Sequence, residues 1–134
     1  MKAADTSLVV AAFASWHERH DAARRVLDGG LRLIEHCALE TYSVLTRLPA
    51  PHRTAGAVVR EFLQTRFPQP YLRLSASEYK GFILALPDHN VTGGTAYDAL
   101  VAATAASCGA ELVTCDQRAL PVYVRYGVRT QVLT

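Results

Sequence analysis

The sequence lacks any apolar run approaching the roughly 18 residues that a membrane-spanning helix requires. A short apolar stretch from Leu8 to Ala14 follows Lys2 and loosely imitates a signal peptide. Asp5 interrupts the approach to that stretch, and the segment is better explained as a strand, a carboxylate and the start of a helix. We therefore expect a soluble, cytoplasmic protein with no membrane segment.

Cysteine is scarce, and its spacing excludes two classes of small domain. The chain has three cysteines, Cys37, Cys108 and Cys115, with no C-x-x-C pair among them. This odd number argues against both a disulfide framework and a zinc site, and favours buried thiols in a reducing compartment. Gly93-Gly94 fits neither G-x-G-x-x-G nor a P-loop, so no nucleotide cofactor is expected.

Lysine is almost absent, and arginine supplies nearly all of the positive charge. Fourteen basic residues against twelve acidic ones give a net charge of +2, too small by itself to indicate a nucleic-acid-binding protein. Arginine nevertheless suits bidentate contacts with phosphate. Four arginines around the Pro49-Ala50-Pro51 break could line an RNA path, although ordinary solvated side chains are the better explanation for most of them. They are Arg47, Arg53, Arg60 and Arg66.

Short apolar segments alternate with helical patterns along a chain of 134 residues, a length typical of one domain, here 1–134. Predicted strands end at Asp5 and cover 31–34, 71–74, 111–114 and 128–133. Predicted helices follow Asp5 and cover 16–27, 37–48, 54–67, 75–86 and 96–107. This alternation predicts right-handed βαβ crossovers and an α/β fold whose mainly parallel sheet is covered by helices on both faces.

Capping residues mark several of the predicted helix boundaries. Ser75 followed by Glu78 has the spacing of a capping box, and Thr95 is expected to cap the helix over 96–107. Gly29-Gly30 is expected to end the helix over 16–27.

Four acidic residues occupy positions that meet at one edge of such a sheet. Asp5 and Asp116 follow predicted strands, and Glu40 and Asp98 are predicted in the first turns of helices. Strand C-termini and helix N-termini lie along the same edge, where ligands bind. Carboxylates without nearby histidine or cysteine favour Mg²⁺ or Mn²⁺. Each acid alone is also explained as a helix cap or dipole partner, but four together favour a metal site for phosphoryl chemistry.

The segments around these acids resemble the PIN-domain nucleases, and specifically the toxins of VapBC-type toxin–antitoxin pairs. The resembling segments are Ala4-Asp5-Thr6-Ser7, Ala38-Leu39-Glu40-Thr41-Tyr42-Ser43, Tyr97-Asp98-Ala99-Leu100-Val101-Ala102-Ala103 and Leu112-Val113-Thr114-Cys115-Asp116-Gln117-Arg118-Ala119-Leu120. The resemblance implies a PIN-like three-layer α/β/α fold with a metal held by Asp5, Glu40, Asp98 and Asp116. It also implies that Thr114 and Ser7 hydrogen-bond to these ligands. Cys115 departs from the family pattern, which often has arginine there.

The same resemblance implies an activity and its partners. It implies a Mg²⁺- or Mn²⁺-dependent endoribonuclease, the toxin of a type II toxin–antitoxin system, that cleaves tRNA or rRNA to 5′-phosphate and 3′-hydroxyl ends. A homodimer and a VapB-type antitoxin are the implied partners. The alternative is a catalytically weak PIN module that binds RNA or protein, against which the presence of all four acids argues. A haloacid-dehalogenase-like phosphatase is disfavoured because no second aspartate stands two residues after Asp5.

Overall fold

The segment Lys2–Ala4 forms β1, an inner strand of a parallel sheet in this computed structural model, which describes residues 1–134. The other strands are β2 (Arg32–Leu33), β3 (Glu111–Thr114) and β4 (Thr130–Val132). They are ordered β2-β1-β3-β4, and all neighbouring pairs are parallel. Because β2 and β3 lie on opposite sides of β1, the β1–β3 pair is the topological switch point, where a ligand cleft is expected beyond the strand C-termini.

Seven helices connect and cover these strands. They are α1 (Thr6–Phe13), α2 (His20–Asp28), α3 (Glu35–Arg47), α4 (Gly56–Arg66), α5 (Ala76–Ala85), α6 (Thr95–Ser107) and α7 (Leu120–Arg125). Helix α1 packs against β1, β3, α2 and α3, and α6 packs against β3 and α7. The predicted α/β fold, a three-layer arrangement around a mainly parallel sheet, is confirmed. None of the helices has both the length and the apolarity that a transmembrane span demands.

The core is built from aliphatic side chains of the central strands and α1. Leu112 and Val113 of β3 are completely buried, as are Leu8 and Val9 of α1. Such an uninterrupted apolar run is typical of a parallel strand covered on both faces. Each fully buried leucine or valine stabilises the fold by about 1.5–3 kcal/mol. The C-termini of β1 and β3 are therefore held in a rigid frame.

The helix predicted over 16–27 begins later in the structure, at His20, the first residue of α2. Trp16 is 50% exposed, and its ring packs against that of His52 with a centroid distance of 4.3 Å. The Arg19 backbone N–H donates to His17 Nδ1 at 3.0 Å. This local hydrogen bond offers the backbone an alternative to helical pairing, which explains the error. The predicted Gly29-Gly30 end of the helix is confirmed.

The strand predicted over 71–74 does not form. Only Leu72 pairs with the segment at β2: its N–H donates to the Leu33 carbonyl at 2.8 Å, and its carbonyl accepts from Glu35 N–H at 2.9 Å. Pro70 has no N–H to donate and fixes its own φ, so the pairing cannot extend toward the N-terminus. The segment remains a single bridge at the edge of the sheet.

The capping predictions have different outcomes at the two sites. At α5, Glu78 N–H donates to Ser75 Oγ at 3.1 Å and Ser75 N–H donates to Glu78 Oε1 at 2.9 Å, so the capping box is confirmed. At α6, Gly94 occupies the N-cap and Thr95 is already helical. The Thr95 hydroxyl instead donates to the Thr92 carbonyl at 2.6 Å, so its predicted role as a cap is wrong.

Candidate active site

Asp5 lies directly after β1 and has its carboxylate fixed on both oxygens. Oδ1 accepts from Ser7 Oγ at 2.6 Å and from Leu8 N–H at 3.1 Å, the second contact capping α1. Oδ2 accepts from the Tyr123 hydroxyl at 2.9 Å. The residue is only 4% exposed. Its orientation is therefore set by the fold and needs no ligand to define it.

The buried position of Asp5 is reflected in two pKa shifts. Burial raises the pKa of Asp5, because desolvation penalises the carboxylate, and hydrogen bonds from Ser7, Thr114, Leu8 and Tyr123 oppose that rise. Burial, followed by the nearby Asp5 carboxylate, raises the pKa of Tyr123 far above its ordinary value. Tyr123 therefore remains a hydrogen-bond donor to Asp5 throughout the physiological range.

Ser7 and Thr114 connect the C-termini of β1 and β3. Their hydroxyl oxygens are 3.2 Å apart, within hydrogen-bond distance, and Ser7 donates to Asp5. Ser7 Oγ accepts from Cys115 N–H at 2.9 Å, and Thr114 Oγ1 accepts from Asp116 N–H at 2.9 Å. The two hydroxyls therefore contact the backbone or side chain of two of the predicted acids.

Asp98 and Asp116 are joined by Arg118, whose side chain is 68% exposed. Asp98 lies in the first turn of α6, as predicted, and its side chain is 18% exposed. Arg118 Nη1 donates to Asp98 Oδ2 at 3.2 Å, and Nη2 donates to Asp116 Oδ2 at 3.0 Å. The Arg118 backbone N–H also donates to Asp116 Oδ1 at 3.0 Å. Both oxygens of Asp116 are thus engaged by a single residue.

The pKa of Asp98 is shifted by burial and by the charges around it. Burial raises the pKa of Asp98, the Arg118 guanidinium opposes the rise, and the negative charges of Asp116 and Glu40 add to it. Like-charge repulsion is therefore present among these acids even with the guanidinium in place.

Glu40 reaches the same site from α3, but from a different turn than predicted. Because α3 begins at Glu35 without a side-chain cap, Glu40 lies in its second turn, and the first-turn prediction is wrong. His36 Nε2 is 3.7 Å from Glu40 Oε2, one turn earlier on the same helix face. The neighbouring His36 is the largest cause of a lowered pKa for Glu40; burial opposes this shift, and Thr6 adds a smaller lowering. Glu40 is therefore ionised at neutral pH.

All four predicted acids line one cleft of about 160 Å³ at the switch point. Its walls also include His36, Tyr97, Arg118 and Tyr123. The donor set is made of carboxylate oxygens, which suit Mg²⁺ or Mn²⁺ in kind. In this arrangement no three potential ligands converge closely enough to hold a metal ion. The chemistry of the donors fits a hard cation, while two of the four acids, Asp98 and Asp116, are paired with the Arg118 guanidinium.

The site also contains residues that the sequence interpretation missed. Tyr97 is 59% exposed, and its ring lies parallel to that of His36, with a centroid distance of 5.4 Å and an interplanar angle of 7°. His36 could have been found from its i, i+4 spacing to Glu40. Arg118 stands two residues after Asp116, which was also a usable signal. Tyr123 contacts Asp5 only because the fold brings the two residues together, and no feature of the sequence indicated this contact.

Cys115 occupies the position where the resembling toxins often have arginine. Burial, followed by the Asp5 carboxylate, raises the pKa of its thiol to about 11, so the side chain is neutral at physiological pH. The positive charge beside the acids is supplied by Arg118 instead. Of the four arginines suggested for an RNA path, Arg47 contributes through its positive charge to the lowered pKa of Glu40. Arg66 instead forms an ion pair with Asp28.

Comparison with known proteins shows the family to which the chain belongs. Residues 3–124 match the PIN domain family. The chain belongs to the PIN-domain family. It is 51% identical to Ribonuclease VapC40 of Mycobacterium tuberculosis over 134 residues, covering the whole of both chains. It is 39% identical to Ribonuclease VapC27 of Mycobacterium tuberculosis over 135 residues, covering 97% of this PIN protein and 95% of that protein.

A solved structure supports the same fold. The crystal structure of FitAcB from Neisseria gonorrhoeae matches this PIN protein with a TM-score of 0.69 and 18% sequence identity, covering 97% of this chain and 96% of that chain. At this identity the likeness concerns the fold alone. Together with the full-length similarity to the VapC ribonucleases, these findings confirm the predicted resemblance to VapC-type PIN toxins.

Proposed function

We propose that this PIN protein is an endoribonuclease, the toxin of a type II toxin–antitoxin system, whose activity depends on Mg²⁺ or Mn²⁺. The ligands would be Asp5, Glu40, Asp98 and Asp116. The observation that carries the proposal is that these four acids, far apart in sequence, line one cleft at the switch point of the sheet. The full-length similarity to Ribonuclease VapC40 supports the same activity.

The residues of the cleft divide the work of phosphodiester hydrolysis. A divalent cation, when bound, acidifies a water molecule and offsets the negative charge that develops on the phosphate. Asp5 presents a carboxylate that Ser7 and Tyr123 already orient. Glu40 is ionised at neutral pH, and His36 beside it lowers its pKa further. Asp98 and Asp116 would complete the ligand set beside the exposed Arg118 side chain.

The rim of the cleft suits unpaired nucleotides. The Tyr97 ring is supported on one face by His36 and is more than half exposed at the same cleft that Asp98 lines. Unstacked bases of single-stranded or looped RNA stack on such aromatic rings, whereas bases within a duplex cannot reach them. We therefore favour a single-stranded or looped segment of tRNA or rRNA as the substrate.

Two apolar surfaces support the proposed protein partners. Helix α5 has no buried residue and exposes Tyr79, Ile83 and Leu84, a surface suited to a homodimer contact. A cavity of about 490 Å³, lined partly by Leu39 and Tyr79, adjoins the acid cleft through His36, which borders both. We assign this cavity to the tail of a VapB-type antitoxin, which would thereby reach the acids.

The proposal places the protein in the cytoplasm as a single nuclease domain spanning 1–134. Its three cysteines are all free thiols, which is consistent with a reducing compartment. The family match over 3–124 covers most of the proposed domain.

The alternative is a PIN module that binds RNA or protein with little catalysis. One observation favours it: Asp98 and Asp116 pair with Arg118, and no three potential ligands converge closely enough to hold a metal ion. The alternative predicts RNA binding that is indifferent to Mn²⁺ and no cleavage by the purified protein.

Cleavage of total RNA, with mapping of the product ends, distinguishes the two proposals. We expect cleavage in Mg²⁺ or Mn²⁺ with 5′-phosphate and 3′-hydroxyl products, none in EDTA, and none with Asp98→Asn. The matched control is Asp88→Asn, which neutralises an exposed aspartate outside the cleft. Full activity of purified wild type in EDTA would rule out the metal mechanism.

A further inference from the structure

We propose that Arg118 is an internal cation of the acid cleft: its guanidinium holds Asp98 and Asp116 in the metal-free protein and must leave them before a divalent ion can bind. The inference rests on the proposed metal site and adds a residue that controls its loading. Arg118 is thus a positioning residue: its contacts with Asp98 and Asp116 determine whether these two ligands can bind a metal ion.

The contacts of Arg118 cover the oxygens that a metal would need. The guanidinium bridges Asp98 Oδ2 at 3.2 Å and Asp116 Oδ2 at 3.0 Å, and the backbone N–H holds Asp116 Oδ1 at 3.0 Å. A guanidinium and a metal ion sharing one carboxylate oxygen would repel each other at short range. In the metal-free protein Asp98 Oδ2 and Asp116 Oδ2 are therefore already occupied by a cationic group.

The guanidinium is free to move away, whereas the backbone contact is fixed. The Arg118 side chain is 68% exposed, so its ion pairs are weak and exchange readily with water. If the side chain turns outward, Asp116 keeps the hydrogen bond from the Arg118 backbone N–H and remains in position. Departure of the guanidinium therefore exposes Asp98 Oδ2 and Asp116 Oδ2 without disordering Asp116.

Other basic residues around the cleft do not share this geometry. Arg47 hydrogen-bonds to Ser43, and Arg19 pairs with Glu18 and donates to the Leu133 carbonyl. Within the cleft, Arg118 alone bridges two of the predicted ligands. A change at Arg118 should thus affect the metal more than loss of a positive charge elsewhere.

Calorimetric titration with Mn²⁺ alone tests the inference on the full chain. Arg118→Gln should bind Mn²⁺ about fivefold more tightly than wild type, the effect of removing a weak competing ion pair. Arg118→Lys, which keeps the charge but not the planar fork, should lie between them. The matched control is Arg73→Gln, which removes an exposed arginine paired with Glu35 and should leave the affinity close to that of wild type.

A second readout is the Mn²⁺-induced rise in melting temperature, which should be larger for Arg118→Gln than for wild type. If Arg118→Gln binds Mn²⁺ no more tightly than Arg73→Gln does, while Asp98→Asn abolishes binding, this inference is wrong and the proposed metal site stands. If neither wild type nor Arg118→Gln binds Mn²⁺ and wild type cleaves no RNA, both proposals are overturned.

Discussion

The two sides of the acid cleft are organised in opposite ways. On the buried side, Asp5 is held by Ser7, Leu8 and Tyr123, all of them groups that the fold itself fixes. On the open side, Asp98 and Asp116 are joined by a side chain that is largely exposed. The buried side is preorganised, and changing it should destabilise the fold. The open side can rearrange when a cation binds in the cleft. The comparison suggests a fixed ligand on one side and adjustable ligands on the other.

The largest expected effect is the loss of RNA cleavage when Asp98 of the open side, or Glu40 of α3, is neutralised. Glu40→Gln and Asp98→Asn should each lower the rate of RNA cleavage by on the order of 100-fold or more, because each removes a charged ligand while keeping its shape. Circular dichroism should show an intact fold in both variants. Cleavage by purified Asp98→Asn at the wild-type rate would remove the open side from the mechanism.

Tyr123→Phe tests whether the buried side contributes to the stability of the fold. It removes the donor to buried Asp5 Oδ2, so unfolding in urea should show a loss of about 1–3 kcal/mol. Metal affinity should fall by roughly 10-fold, the usual effect of losing a hydrogen bond to a metal ligand. Tyr126→Phe is the matched control, since the Tyr126 hydroxyl has no hydrogen-bond partner. Equal stability of the two variants would contradict the fixed character of the buried side.

RNA binding should depend on salt even when the open side can no longer catalyse cleavage. If the RNA contacts about three phosphates, the affinity of Asp98→Asn for a single-stranded oligonucleotide should fall roughly 20-fold between 50 and 200 mM salt. Fluorescence anisotropy measures this directly. The same affinity at both salt concentrations would exclude a phosphate path lined by arginines.

The smallest expected effect is on the thermal stability of the metal-free protein. Because the folded pKa of Asp98 is raised, its contribution to stability is present below its unfolded pKa of about 4 and is lost as the pH rises through the folded value. Asp98→Asn should therefore melt at a higher temperature than wild type in EDTA at pH 7, with the difference disappearing near pH 4. A lower melting temperature for the variant at pH 7 would show that the Arg118 ion pair outweighs the cost of burying the charge.

The sequence predicted the frame of the cleft better than its interior. The β1 and β3 segments were recognisable because they are short apolar runs ending in an aspartate, and their parallel pairing follows from the alternation with helices. Glu40 was placed one turn too early because α3 starts without any capping side chain. The residue was found, but its position on the helix was not.

Contacts between distant segments were beyond sequence reasoning. Nothing near Tyr123 in the sequence indicates that its hydroxyl reaches Asp5, 118 residues earlier in the chain. The bridge from Arg118 to Asp98 likewise depends on how α6 packs beside β3. Periodicity predicts which face of an element is buried, but the partner on that face is decided by tertiary packing.

The most direct test of the central claim, that four acids form one divalent-cation site, is equilibrium binding of Mn²⁺ to variants that neutralise each acid singly. Asp5→Asn, Glu40→Gln, Asp98→Asn and Asp116→Asn should each weaken Mn²⁺ binding severely, while Asp88→Asn should bind as wild type does. If all four variants retain wild-type affinity, the acids do not share a cation, and they are helix caps and dipole partners instead.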